Sequence, residues 1–374
     1  MGSSRSKINT KYNVVDLFCG AGGLTLGFEN TKRFKTVFAN DVDGDMCKSY
    51  NLNFPDTPIS KESITNINFE EITKEKNIDV VIGGPPCQSY STSGKRLLND
   101  PRAILFKEYY RAIKSLKPSI FIYENVKGLL SMNKGNLIKE IKELFLSLNY
   151  NVEVHLLNAA DYGIPQIRER IFVVGLINDS KFKLPKKTHH NSNKDDFFKS
   201  NYLTLEDALS DLPQIPVNSS ALSYLKKPQT NYQKLMRLNS RKELSEQDSV
   251  NHGKELLNAM MHLPEGGLKA DIPEEYRPKS GYSNSYGRLW WKKPSTTITR
   301  NFGTPSSARC IHPKVDRALT TREGARLQSF PDWFQFYGSR AKKNLQIGNA
   351  VPPLLAEVIA NSVVNYLDKY FNND

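Results

Sequence analysis

The sequence predicts an α/β protein: a mostly parallel sheet covered by helices on both faces, plus a smaller, irregular domain. Three observations carry this. In the first half, short β-branched runs alternate with stretches of helical spacing. The first run opens into a glycine-rich turn, as where a strand hands over to a helix. The alternation breaks near Pro185, and the text to about Pro313 is rich in Asn, Ser, Pro and Lys with few periodic runs.

The strands are expected at Val14–Phe18, Lys35–Ala39, Asp79–Ile82, Ser119–Tyr123, Val152–Leu157 and Ile171–Leu176. Between the third and fourth, Leu105, Tyr109, Ala112 and Ile113 give Ala103–Leu116 a helical stripe. Between the fourth and fifth, Ile138, Ile141, Leu144 and Phe145 do the same for Leu137–Leu148. Helical periodicity returns at Arg322–Leu327 and Pro353–Tyr370. Hence three segments: 1–185 for the α/β domain, 186–317 for the irregular one, and 318–374 returning to pack on the first.

Composition narrows the function classes. No run of about 18 apolar residues predicts a membrane span, and the start lacks the apolar core of a secretion signal. Gly2 and Ser6 match a myristoylation pattern, read here as a polar terminus. The four cysteines (Cys19, Cys47, Cys87 and Cys310) form no Cys-x-x-Cys pair, so no metal site is expected and a reducing cytoplasm is. The net charge of +13 favours a polyanionic partner. Residues 186–317 hold 21 Lys and Arg against 14 Asp and Glu, a net +7 from about a third of the chain.

Candidate chemistry gathers at strand ends. Asp16-Leu17-Phe18-Cys19-Gly20-Ala21-Gly22-Gly23 follows the first strand, and glycines there let backbone approach a ligand. Asp41, after the second strand, can accept from a ribose diol. This loop alone leaves a nicotinamide cofactor, S-adenosylmethionine and a structural turn open, because Thr25 replaces the third glycine of the dinucleotide fingerprint. Gly83-Gly84-Pro85-Pro86-Cys87-Gln88-Ser89 puts a cysteine on a rigid loop beyond the third strand. Tyr123-Glu124-Asn125-Val126 puts an acid at the end of the fourth. Arg168 and Arg170 precede the sixth and share a face by period two.

Taken in order, these motifs resemble the DNA cytosine-5 methyltransferase family, of the bacterial restriction–modification type. The likeness continues in Arg322-Glu-Gly-Ala-Arg-Leu-Gln-Ser-Phe-Pro331 and Gln346-Ile-Gly-Asn-Ala-Val-Pro-Pro353, spanning residues 14–176 and about 318–360. It implies a Rossmann-like S-adenosylmethionine-dependent domain and a target-recognition domain that reads double-stranded DNA. By the resemblance, Phe18, Gly20, Ala21, Gly22, Gly23 and Pro85 would hold S-adenosylmethionine. Asp41 would bind its ribose, Val42 would pack on its adenine, and Leu105, Asn349 and Val351 would line the pocket. Ser63 and Ile64 match the adenine-contacting segment, with Ser63 where the family usually has aspartate. Cys87 would be the nucleophile and Glu124 its partner acid. Arg168 and Arg170 would grip the target nucleotide.

The reaction explains these residue types. Carbon 5 of cytosine is a poor nucleophile until a thiolate adds at carbon 6. A free thiol, with a pKa of about 8.5, needs nearby positive charge, for which Arg170 and the cofactor's own sulfonium are the two candidates. The ring must accept the displaced electrons, which requires N3 to be protonated or strongly hydrogen-bonded, a role for Glu124 kept neutral in a dry pocket. The target base must leave the stack first.

In the second domain, Arg288, Thr297 and Arg300, with Gln88 and Ser89 beside the nucleophile, are the expected DNA contacts, and Lys292 is a further candidate. Trp290, Trp291, Met260 and Met261 read as core. The expected function is methylation of a specific DNA site by a cytoplasmic monomer, bound to the nucleoid when working and paired in function with a restriction endonuclease. Alternatives are a tRNA cytosine-5 methyltransferase of the same family, a non-catalytic DNA-binding relative, and a dinucleotide-dependent oxidoreductase.

Overall fold

The structure is a computed structural model, and it describes residues 11–86, 104–191, 200–279, 281 and 285–372. The chain forms two compact units. The first comprises residues 1–158, 169–186 and 353–374; the second, 159–168 and 187–352. The second unit thus runs on past residue 318 to Pro352.

The first unit is built on seven strands: β1 (Tyr12–Leu17), β2 (Phe34–Asn40), β3 (Ile59–Ser60), β4 (Val80–Gly83), β5 (Ile120–Val126), β6 (Asn151–Asn158) and β7 (Glu169–Leu176). Their order is β3-β2-β1-β4-β5-β7-β6. The pairs from β3 to β5 are parallel, whereas β7 runs antiparallel to both β5 and β6. The chain winds outward from β1 to β3, then restarts at β4 on the other side. The carboxyl ends of β1 and β4 therefore flank a switch point, where α/β sheets bind ligands.

Helices α1 (Gly23–Asn30), α2 (Gly44–Asn53), α3 (Phe69–Glu75), α4 (Ile104–Leu116), α5 (Asn136–Leu146) and α11 (Pro353–Tyr370) belong to this unit. α4 buries Phe106, Tyr109, Ala112, Ile113 and Leu116, and α5 buries Leu137, Ile141 and Phe145, a helical stripe in each case. They meet Phe121 and Tyr123 of β5; the Phe121 and Phe145 rings lie 4.4 Å apart between centroids. Each such aromatic contributes on the order of 2 kcal/mol by burial. α11 lies on α1 so closely that a Cβ on Gly27 would stand 2.4 Å from Ala356 Cβ. The stretch Arg340–Tyr370 has the length and hydropathy of a membrane span, but two thirds of its most apolar window is buried in the protein, as in a core helix.

Among its described residues the second unit contains little regular structure: a two-residue strand pair, β8 (His189–His190) with β9 (Ser200–Asn201), short 3-10 turns and five α-helices. These are α6 (Leu205–Leu209), α7 (Asn231–Met236), α8 (Lys254–Met261), α9 (Thr321–Leu327) and α10 (Arg340–Asn349). Irregular backbone leaves carbonyls without ladder partners, and buried ones must be satisfied. Buried arginines do this here. Arg288 donates to the carbonyls of Met260, Leu263 and His312, and Arg317 to those of Ile215 and Ala318. The charge is then balanced within the unit. Arg317 forks onto Glu323 at 2.7 and 2.8 Å, and Arg326 bridges Asp211 and Asp332. Burial alone would raise the Glu323 carboxyl, but Arg317 outweighs it and brings it down to about 2.

Of the four residues read as core here, Met260 and Trp291 are buried and Trp290 is partly so. Met261 departs from that reading: it points outward from the last turn of α8, 66% exposed. Neighbours on a helix point about 100° apart, so Met260 and Met261 cannot share one face.

Candidate active site

The glycine turn begins where β1 ends. Phe18 and Gly20 sit at φ 57° and 55°, and Gly22 at 96°. At Gly22 the turn needs glycine twice over: φ is left-handed, and a Cβ would stand 2.4 Å from the Phe54 ring. Gly22 is also the N-cap of α1 and places no side chain over the start of that helix. Ala21 and Gly23 are buried in the turn.

Asp41 follows β2 and braces this turn. Its two oxygens accept from the Gly20 and Asp43 amides, both at 2.9 Å. Burial raises its carboxyl, and those two amides oppose the rise. A carboxylate with two amide donors still has lone pairs for a diol. Val42 beside it is 71% exposed, an apolar side chain offered to solvent. Asn40 pins the next strand end by donating to the carbonyls of Ser60 and Glu62. That segment leads to Ser63, which is exposed and bonded to Thr65, and to buried Ile64. Leu105 is half-buried on the first turn of α4.

Asp16 opens the glycine-turn motif at the end of β1. It is fully buried beneath the glycine turn; one oxygen accepts from Thr25 Oγ1 at 2.6 Å, and the other has no hydrogen-bond partner among the described residues. Burial pushes its carboxyl up to about 7. A buried orphan acceptor beside an uncapped helix start, a braced strand-end carboxylate and an exposed apolar side chain fit a ligand carrying a cationic amine, a carboxylate, a diol and a flat ring. The residues present therefore suit S-adenosylmethionine.

The second half of the site lies on β4, β5 and β7. Because β7 runs antiparallel, its start lies at the carboxyl end of β5: Arg170 pairs with Val126, diagonal to Glu124. Arg170 Nε meets Glu124 Oε1 at 3.2 Å, both side chains about one-eighth exposed. Burial lowers the Arg170 guanidinium and Glu124 opposes this. The Glu124 carboxylate also lies against the loop after β4; a Cβ on Gly84 would stand 2.9 Å from Glu124 Oε2. Asn125 ties that loop down by donating to the Pro85 carbonyl at 3.1 Å. The sequence names Asn125 and Gly84 only as letters of motifs; their contacts exist once β4 and β5 pair in parallel. Pro85 is buried and Pro86 exposed, and the loop continues into Cys87, Gln88 and Ser89, which lie outside the described residues.

Two of the expected contact arginines, Arg168 and Arg288, are buried. Arg168 is 1% exposed in the second unit and donates to the carbonyls of Ile298, Gly348 and Ala350, so it is committed to holding backbone rather than gripping a nucleotide. Arg288 donates to the carbonyls of Leu263, His312 and Met260 and to Asp316, bonds that hold its guanidinium within the second unit. Arg300 and Lys292 are exposed, and Thr297 is half-buried with its hydroxyl donating to the Ile167 carbonyl. Asn349 is exposed and Val351 buried, both in the second unit.

A switch-point crevice with this cradle, and an acid–guanidinium pair on the adjoining strands, defines an α/β methyltransferase. The family model for C-5 cytosine-specific DNA methylase matches residues 12–365. The chain belongs to that family: it is a DNA (cytosine-5-)-methyltransferase, and its methyl donor is S-adenosylmethionine. It is 35% identical over 356 residues to the type II methyltransferase M1.HphI of Haemophilus parahaemolyticus, covering 94% of this chain and 86% of that one. With M.DdeI of Desulfomicrobium norvegicum it shares 34% over 380 residues, covering 95% and 89%. Among solved structures, a prophage-encoded DNA modification methyltransferase of E. coli superposes with a TM-score of 0.75 at 28% identity, covering 96% of this chain and all of the other. The methyltransferase EhMeth of Entamoeba histolytica (TM-score 0.64, 18% identity, covering 96% and 99%) shares the fold.

Proposed function

We propose that this enzyme methylates carbon 5 of a cytosine flipped out of a specific duplex site, through a covalent bond from Cys87 Sγ to carbon 6. We further propose that it works as a monomer on the bacterial nucleoid, in the cytoplasm, and protects host DNA from a cognate endonuclease, as the type II names of its relatives suggest. The observation that carries the chemical reading is the Glu124–Arg170 pair. It lies against Gly84, three residues before a cysteine, at the sheet edge where the cofactor cradle opens.

In this mechanism the glycine turn, the α1 amides, Asp16, Asp41 and Val42 hold S-adenosylmethionine, which when bound supplies the electrophilic methyl that carbon 5 takes. Arg170 favours the Cys87 thiolate by its charge. The thiolate adds to carbon 6, and the electron pair of the 5,6 double bond becomes available at carbon 5. Glu124 hydrogen-bonds N3 and steadies the charge that collects on the ring. Once carbon 5 carries the methyl, its proton leaves to a water. The carbon–sulfur bond then breaks, restoring the ring and the thiolate. Asn125 and Gly84 keep Glu124 and the cysteine loop in register.

The test begins by mapping the methylated site through bisulfite sequencing of DNA from expressing cells. A duplex with 5-fluorocytosine at that site cannot lose its 5-substituent, so enzyme and cofactor should give a complex that survives denaturation, and Cys87→Ser should give none. Absence of the complex with wild-type enzyme at the mapped site would refute the covalent route.

A further inference from the structure

Between residues 212 and 242 the chain carries six cations (Lys226, Lys227, Lys234, Arg237, Arg241 and Lys242) and no Asp or Glu. In the same stretch four leucines point outward: Leu222, Leu225, Leu235 and Leu238 are 74, 60, 44 and 59% exposed. They are not on a loose tether. α7 buries Tyr232, Gln233 and Met236 on its inner side and leaves Lys234 and Leu235 outside. Arg237 stacks on the Tyr224 ring at 3.6 Å and donates to the Lys226 carbonyl at 2.8 Å, and the Leu244 amide donates to the Leu222 carbonyl at 2.8 Å. The 222–226 loop is thereby held alongside 237–244. The buried acids Asp211 and Asp332 pair with Arg326, and Asp211 pairs also with Arg237 at 3.2 Å. What faces outward is aliphatic, with a rim on which exposed Lys226, Lys227, Lys234, Arg241 and Lys242 outnumber the exposed acid Glu243.

Clustered exposed leucines with a charged rim mark a docking surface. A second copy of this chain is a poor occupant, because a two-fold contact would set the cationic rim against itself. Nucleic acid accounts for the charge but not for the leucines, since DNA-binding faces are polar as well as cationic. We infer that this face docks a different protein, one presenting aliphatic side chains flanked by Asp and Glu, as an acidic amphipathic helix does.

The probe is a fluorescein-labelled 18-residue peptide with leucine at i, i+3, i+4 and i+7 and glutamate elsewhere, set beside a scramble of the same composition. Binding to the full-length enzyme is read by anisotropy. The patterned peptide should saturate at least tenfold more tightly than the scramble. Leu222→Asp with Leu225→Asp, or Leu235→Asp with Leu238→Asp, should weaken it at least tenfold while leaving duplex methylation unchanged. Equal binding of the scramble, or unaltered binding by both double variants, would overturn the inference. So would weakened duplex binding in those variants, which would assign the face to DNA. A dimer in sedimentation that the variants dissolve would assign it to a second copy and overturn the inference as well.

Discussion

Gly84→Ala tests the heart of the site with one methyl group. A Cβ there would stand 2.9 Å from Glu124 Oε2, where ordinary contact begins near 3.4 Å, so the carboxylate must retreat by about 0.5 Å. Glu124 cannot do so without loosening its 3.2 Å contact with Arg170. A misplacement of about 1 Å can cost roughly 100-fold in rate, so half of that predicts a loss of about tenfold, near 1.4 kcal/mol of barrier. Gly84 is not in the left-handed region, so alanine fits the backbone and thermal stability should hold. The assay is single-turnover methyl transfer to the mapped site with enzyme in excess, with DNA affinity measured alongside and expected to be unchanged. Glu124→Gln alone should reduce turnover further. Adding Gly84→Ala to that variant should cost almost nothing more, because both changes act through one carboxyl group. A wild-type rate for Gly84→Ala, or a multiplied loss in the double variant, would refute the reasoning.

Three other perturbations separate architecture from contact. Arg288→Ala strips several buried carbonyls of their donor and should destabilise the protein by about 2–4 kcal/mol, while the salt dependence of DNA binding stays as it was. Arg300→Ala, at an exposed position, should leave the melting temperature alone and lower the salt slope by about one if the residue meets a phosphate. Buried His312 is held neutral, its imidazole lowered to about 4 by burial and by nearby Arg317, Arg288 and Lys314 despite Glu323. Its folded value lies below the unfolded one of about 6.5. The stability it contributes is therefore complete above that value and falls as pH drops toward 4. Between pH 7.5 and 5 this amounts to about 2 kcal/mol, several degrees of melting temperature, and His312→Gln should flatten that slope.

The sequence disclosed much of this fold because its strongest signals are local. Buried strands such as Val80-Val81-Ile82 read as apolar runs, and α4, α5 and α11 as stripes. β3 escaped notice because two residues carry no period, and α10 because Arg-Ala-Lys-Lys-Asn is polar and takes its helical form from a Ser339 cap. The candidate site divides in the same way. Glycine turns, Asp41 and Glu124 announce themselves by residue type at strand ends. Which arginine stays accessible does not, because it depends on where unpaired carbonyls come to lie. Arg168 and Arg170 are two residues apart, yet one is sealed under three carbonyls and the other faces an acid. Arg288 likewise reads as a surface cation in the sequence, yet it is buried among the carbonyls of Met260, Leu263 and His312.

The hydroxyl of Tyr12 donates to Asp368 across 356 positions of chain, and α11 covers α1. The cofactor half is thus stitched shut by its last helix after the whole second unit has been threaded between. During synthesis α1 is made long before α11 and leaves its apolar flank uncovered until that helix follows. The cofactor domain is therefore closed only by a contact between segments far apart in sequence, and a variant that breaks the α1–α11 seam should open that domain rather than merely trim it.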